Sequence, residues 1–424
     1  MNPAYHLNQT LRTEYPAAEQ LLTDFGKRLY FPKGVPAQAA EAKNCTFNAT
    51  IGQLKDDDGH PLPLPIMAQK FQNLPTDEVF LYTPQGGRRD LREAWGKRIS
   101  ASFPSPVSLS TPVVCCGLTH GLSICADLFI DQDTDVILPS PRWGNYDMVF
   151  GTRRMGRIHN YTTMSGIDSD PRTWGFNLKG LEEQLSTISG KGFLVINTPS
   201  NPGGYTPTEK EVDELVSLIS RHQYPLCILL DEAYLGMEWE SSSYQYSLFT
   251  KLQHLDKSRF LLLKVDGATK ELFFFGGRIA FVSSNIQGAA AAALEEKFIA
   301  CIRSTVSALP SPSQALVHSA LIDPTLDTQI QSIRSVLRDR YTTLKHELQQ
   351  SSLLYWPFNS AFFALIHTPQ DPEQTRRKLL ERGVGLVSFP AAQALRLSYS
   401  TVAQKDIPAL IDIVEDVIST GNKT

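Results

Sequence analysis

From about residue 110 to residue 285 the chain alternates short apolar runs with longer amphipathic stretches. Residues 113–116, 135–139, 192–197, 226–231, 260–265 and 278–283 read as strands. Several are apolar almost without interruption, as expected where helices cover both faces of a sheet. Residues 209–221 lie between two of these strands and place Val212, Leu215, Leu218 and Ile219 at helical spacing. The alternation predicts an α/β fold with a mostly parallel sheet, which binds ligands at the carboxyl ends of its strands. Residues 286–346 form a long helical pattern. A strand over 361–367, a helix over 372–382 and a strand over 394–399 then predict a smaller α+β unit. No internal repeat or low-complexity segment interrupts the chain.

Composition narrows the class without changing this picture. The 424 residues exceed one average domain and suffice for a large core plus a smaller one. Hydrophobic (42%) and charged (20%) shares are those of an ordinary globular chain in water. A net charge of -4 gives no global cationic field for nucleic acid or an acidic membrane. Arg88-Arg89 and Arg153-Arg154 are only pairs and read as solvated loop charges. The opening residues 1–6 are polar and no basic region leads into an apolar run, so no signal peptide is expected. The most apolar helical stretch, 288–302, is interrupted by Glu295, Glu296 and Lys297 and cannot span a bilayer. The six cysteines show no CxxC spacing and lie mostly in apolar runs, which predicts reduced buried thiols and fits a cytoplasmic protein. Asp56-Asp57-Asp58-Gly59 lacks the ligand alternation of a calcium loop and reads as an exposed acidic turn, so no metal site is expected.

The unusual polar residues gather just after the strands. Gly117-Leu118-Thr119-His120-Gly121 follows the first. Asn201-Pro202-Gly203-Gly204 follows the strand ending at Asn197, and Asp231-Glu232-Ala233-Tyr234 ends the next. Gly267-Ala268-Thr269-Lys270 follows the one after, and Gly276-Gly277-Arg278 opens another. Singly, each has an ordinary reading as a turn, a helix cap, a tight connection or a surface lysine. Their order and spacing give the set its meaning.

That order resembles the fold-type I pyridoxal-5'-phosphate (PLP) enzymes, in particular the class I/II aminotransferases related to aspartate and aromatic aminotransferases, over about residues 82 to 400. The family pattern is a strand ending in Asn-Pro-x-Gly, a strand ending in Asp-x-x-Tyr, the Schiff-base lysine, and an arginine eight positions later. Here these are Asn201, Asp231 with Tyr234, Lys270, and Arg278, with a late Arg396-Leu397-Ser398. The resemblance implies that Lys270 carries the cofactor as a Schiff base and then moves the substrate's α-proton. It implies that Asp231 pairs with the pyridinium nitrogen, and that Tyr234 and Asn201 bind the ring's phenolic oxygen. Gly117, Leu118 and Thr119, at a strand-to-helix junction, would cradle the phosphate with Arg278 and Thr269. Trp143 would stack on the ring. Tyr82 would reach the phosphate from the partner subunit of a homodimer. Arg396 would bind the substrate α-carboxylate by a planar fork, with Asn201 and Thr50 beside it. His120 is expected to be structural.

The resemblance also sets the expected division of the chain. Residues 1–60 form an N-terminal arm and part of the small domain. Residues 61–300 form the large PLP-binding domain with a mostly parallel seven-stranded sheet covered by helices. Residues 301–424 hold an interdomain helix and the C-terminal small domain. The chain departs from the family at Gly267, where a serine usually touches the phosphate, and around Asn48-Ala49-Thr50-Ile51-Gly52, a substrate-lining segment. No second arginine for a dicarboxylate side chain stands out. Transamination of an amino-acid-like substrate leads the readings. The same motifs also serve elimination, replacement, ring closure or carbon–carbon bond formation. A PLP-fold regulator without catalysis would need a fused DNA-binding domain, and no helix-turn-helix pattern or basic patch supplies one.

Overall fold

The computed structural model describes residues 4–32, 34–166 and 170–420. Residues 1–3, part of the polar opening, lie outside the described residues. The seven strands of the main sheet are β1 (Val113–Cys115), β2 (Asp135–Ser140), β3 (Arg157–Thr162), β4 (Gly192–Asn197), β5 (Leu226–Asp231), β6 (Phe260–Asp266) and β7 (Ala280–Ser284). Their order is β1-β7-β6-β5-β4-β2-β3. All neighbours pair parallel except β7, which runs antiparallel to both β1 and β6.

The side-chain period of two explains why these strands read as solid apolar runs. Leu229, Leu263 and Val265 face one core, with Leu122 and Cys125 of the helix after β1. Ile228, Leu230 and Leu262 face the other, with Val212, Leu215 and Ile219. Each such side chain contributes about 1.5–3 kcal/mol of hydrophobic stabilisation. Strand β3 lies at the sheet edge and is only partly buried; its polar sequence hid it from the apolar pattern. Strand β7 starts at Ala280 rather than at 278, because Arg278 adopts a left-handed backbone (φ 53°).

The principal helices are α1 (Arg89–Ala101), α2 (Leu118–Phe129), α3 (Glu209–Ser220), α4 (Gly288–Thr305), α5 (Ser311–Leu321), α6 (Leu326–Gln350), α7 (Pro372–Glu381) and α8 (Ile407–Thr420). A capping box between Thr208 and Glu211 starts α3. The long helical pattern after residue 286 resolves into α4, α5 and α6, divided at prolines 310 and 324. No helix among the described residues is long and apolar enough to cross a membrane.

The C-terminal strands β8 (Phe363–His367), β9 (Val387–Phe389) and β10 (Ala394–Ser398) form an antiparallel sheet in the order β8-β10-β9. The N-terminal segment joins this part of the molecule, since Phe47–Asn48 pairs parallel with Val384–Gly385. Buried Arg340 of α6 secures the same segment by donating to the Ser400 carbonyl (2.7 Å) and to Asp57 (2.8 Å). The acidic turn at Asp56 therefore carries one structural ion pair. The arginine pairs are likewise tied down: Arg88 to Glu78 and Asp90, and Arg153 and Arg154 to Asp127. The two sheets meet where the Gly204 carbonyl accepts from the N–H groups of Asn359 and Ser360, both at 2.9 Å. Gly204 (φ 67°) is required there, because a Cβ would stand 2.1 Å from the Phe363 oxygen.

Candidate active site

The carboxyl ends of β4, β5 and β6 bring the candidate residues together. Asp231 closes β5 and is buried. The Tyr146 hydroxyl donates to its Oδ2 at 2.5 Å and the Ala233 N–H to its Oδ1 at 3.3 Å. Burial pushes the Asp231 carboxyl above the usual range, while the Tyr146 hydrogen bond and the Lys270 charge oppose that rise. Lys270 lies in the single helical turn Ala268–Glu271 that follows β6. Burial brings its ammonium down to about 8; Arg278 lowers it further and Asp231 works against the fall. Its Nζ stands 5.4 Å from the centre of the Tyr234 ring. An amine held in this range shuttles protons near neutral pH.

Asn197, opposite Asp231 in register, folds the next turn back over the site. Its Nδ2 donates to the Asp231 carbonyl (2.9 Å) and its Oδ1 accepts from the Asn201 N–H (2.8 Å). Asn201 thereby joins two further residues: its Nδ2 is 3.5 Å from the Tyr234 hydroxyl, and its Oδ1 accepts from Arg396 Nη1 at 3.0 Å. Arg396 rises from β10, only 2% exposed, and burial lowers its guanidinium to about 10. It lies over the Phe363 ring at 4.5 Å and donates from Nη2 to the Thr50 carbonyl at 2.6 Å. The Thr50 hydroxyl is taken by Asn48 (2.6 Å), so Thr50 serves the site through its backbone.

At the other end, Gly117 (φ 78°) turns β1 into α2, leaving the first N–H groups of α2, Leu118 and Thr119, without intrahelical acceptors. The Arg278 guanidinium lies against this turn; a Cβ on Gly117 would stand 2.2 Å from its Nη2. His120 accepts from the Cys116 N–H at 3.1 Å and braces the turn, the expected structural role. The absent serine at position 267 has a steric cause. A Cβ there would lie 2.5 Å from Ala280 Cα and 2.7 Å from the Ile279 oxygen. Trp143 is half-buried and edge-on to Tyr146, with ring centres 5.9 Å apart. Tyr82 is 94% exposed and belongs to no site within one chain.

Two residues escaped the sequence reading, Tyr146 and Asn197. Asn197 had a signal, as a polar residue closing an apolar strand; Tyr146, in the irregular turn after Trp143, had none. A separate cleft of about 770 Å³ lies behind the lysine turn, but Arg98 already spends its charge there on Glu271 and Asp327.

The arrangement fits pyridoxal phosphate. Among the described residues the buried Thr269 hydroxyl and the buried Arg396 Nε have no partner, the Asp231 carboxylate is buried without a paired cation at contact distance, and the Gly117 turn with Arg278 makes an anion cradle. Fold and site together define a fold-type I PLP enzyme. The family model for aminotransferase class I and II matches residues 46–414, and the chain belongs to that family. It is a PLP-dependent transferase that transaminates amino acids, and the elimination and carbon–carbon chemistries weighed above are not favoured. An aspartate aminotransferase of Thermotoga maritima is 23% identical over 382 residues, 88% of this chain and 92% of the relative. Among solved structures, an aminotransferase from Anaerococcus prevotii superposes with a TM-score of 0.83 at 17% identity, covering 94% of this chain and 99% of that one. The kynurenine aminotransferase of Pyrococcus horikoshii, solved in complex with PMP, gives 0.79 at 16% identity, covering 96% and 99%. At these identities the likenesses show the fold.

Proposed function

We propose that the enzyme transaminates amino acids with uncharged, apolar or aromatic side chains, with Lys270 as covalent anchor for the cofactor and as proton carrier. The observation that carries this reading is the partly buried chain Arg396–Asn201–Tyr234, which ends beside Lys270. Pyridoxal phosphate, when bound, supplies a ring that takes up negative charge from the substrate α-carbon. Asp231, whose ionised form the Tyr146 hydrogen bond favours, would hold the proton on the ring nitrogen. Tyr234 and Asn201 would serve the phenolic oxygen. Gly117, Leu118, Thr119, Thr269 and Arg278 would hold the phosphate, and Trp143 would offer the ring an aromatic face. Arg396, oriented by the Thr50 carbonyl and by Asn201, takes the α-carboxylate. The Lys270 amine would take up the substrate's α-proton and hold it at Nζ for its return. Phe363 and Phe389, 4.5 and 5.7 Å from the Arg396 guanidinium, make the surroundings apolar, which supports uncharged side chains.

A homodimer with shared sites belongs to this reading. Phe80, Leu81 and Tyr82 are exposed together, as an interface would require. The division into residues 1–60, 61–300 and 301–424 is retained as a proposal, supported by the pairing of Phe47–Asn48 with Val384–Gly385. A cytoplasmic setting is proposed from the six free thiols, a state that a reducing compartment maintains.

The test is a screen of single amino acids read by the cofactor's visible absorption, with and without a 2-oxo acid acceptor, beside Lys270→Ala. The wild type should convert its cofactor once without acceptor and turn over repeatedly with one. Lys270→Ala should lose the visible band and at least ~10³-fold in turnover. A variant that keeps band and turnover overturns the role of Lys270, and a preference for aspartate or glutamate overturns the substrate class.

A further inference from the structure

Beneath the active site, on the opposite face of the sheet from Asp231, lies a charged cluster that the mechanism above does not use. Lys264 of β6 is 1% exposed, and its Nζ lies 2.6 Å from Glu232 Oε2 and 2.5 Å from Asp266 Oδ2. Both carboxylates are buried. Glu232 also accepts from the Ser247 hydroxyl (2.7 and 2.8 Å) and from the Leu248 N–H (3.1 Å), and Asp266 accepts from the Trp95 indole at 2.9 Å. A buried ion cluster costs desolvation that an apolar core would avoid, so its position asks for an explanation. Glu232 directly follows Asp231, and Asp266 directly precedes the turn that carries Lys270. One lysine therefore bridges the ends of the two strands that present the carboxylate and the amine.

We propose that Lys264 is a positioning residue of this transaminase: it offsets the charge of Glu232 and Asp266 and clamps the ends of β5 and β6, so that Asp231 and Lys270 work under less of their neighbours' negative charge. Asp231 must stay ionised although Glu232, the next residue, opposes this, and the lysine on the far face offsets part of that opposition. The groups facing Lys270 are Asp231, Arg278 and Tyr234. Those acting on the cluster from neighbouring elements are Glu271, itself paired with Arg98, and Glu238. None of these supplies a second cation at contact distance, so among the described residues Lys264 alone does so.

The proposal rests on Lys270 as cofactor anchor, and the experiment separates the two. Three variants of the full-length, cofactor-loaded enzyme are compared: Lys264→Met, Glu232→Gln, and the neutral cluster Glu232→Gln/Lys264→Met/Asp266→Asn. The primary readout is the pH midpoint of the bound cofactor's visible band, followed by kcat, KM and Tm. Lys264→Met should raise the midpoint by about half a unit or more, because unpaired negative charge favours the protonated form. Its kcat should fall about tenfold or more, with KM changed less than about twofold. Glu232→Gln should move the midpoint the other way, and this opposite shift decides the matter if Lys264→Met does not fold. The neutral cluster, which removes the unpaired charge that Lys264→Met exposes, should abolish the upward shift and place the midpoint at or below that of the wild type whatever happens to Tm. Midpoints unmoved in both single variants overturn the proposal, as does an upward shift that persists in the neutral cluster, which would assign the effect to packing. A wild type without any visible band would instead overturn the anchoring role of Lys270.

Discussion

At the scale of single residues, burial does most of the chemistry. The same loss of water that raises Asp231 lowers Lys270 and Arg396, so each group leaves its ordinary range in the direction that burial dictates. Their identities were legible because order and spacing along the chain carried them: Asn201, Asp231, Tyr234, Lys270, Arg278 and Arg396 are all brought to one region. The reason for Gly267 was not legible, since it lies in the approach of β7 rather than in the local sequence. That reason yields a prediction. Gly267→Ser, which restores the usual family residue, should not improve cofactor binding. Its Cβ meets the backbone at Ile279 and Ala280, and the apoprotein should lose about 1–3 kcal/mol by denaturant titration. A stable variant with tighter cofactor binding would show that β7 yields and that the close approach is not what excludes serine.

At the scale of elements, legibility followed burial. Strands β4 and β5 coincide with the predicted runs because both their faces are covered and their residues are apolar up to the closing Asn197 and Asp231. Strand β3, at the edge, and the short β9 offered no such run. The turn after β2 was opaque for another reason: it enters an irregular helical segment, Asp147–Arg153, whose wide pitch follows no common period. That turn places Tyr146 on Asp231. Removing the hydroxyl in Tyr146→Phe leaves a buried carboxylate short of a charge-assisted hydrogen bond worth about 1.5–3 kcal/mol. Steady-state kinetics should show kcat reduced about tenfold to a hundredfold with the KM for the amino donor little changed. An equal loss in KM would place Tyr146 in substrate binding instead.

At the scale of the whole molecule, the single chain leaves one expected residue outside its own site. Tyr82 projects into solvent beside exposed Phe80 and Leu81, while Gly117 and Arg278 lie against each other at the start of α2. Nothing in the sequence of one chain could show where Tyr82 acts, because a two-fold symmetric interface is a relation between two copies. Complementation decides it. Tyr82→Ala and Lys270→Ala homodimers should each be nearly inactive. If Tyr82 serves the neighbouring site, a mixed dimer holds one site with both defects and one with neither. Random mixing makes half the dimers hybrid, so activity should recover to about a quarter of the wild type. If Tyr82 acts within its own chain, every site in the mixture carries one defect and no activity returns. Size-exclusion chromatography of the mixture must show dimers for the comparison to hold. A fully active monomer would remove the need for a partner altogether and leave Tyr82 as a surface aromatic.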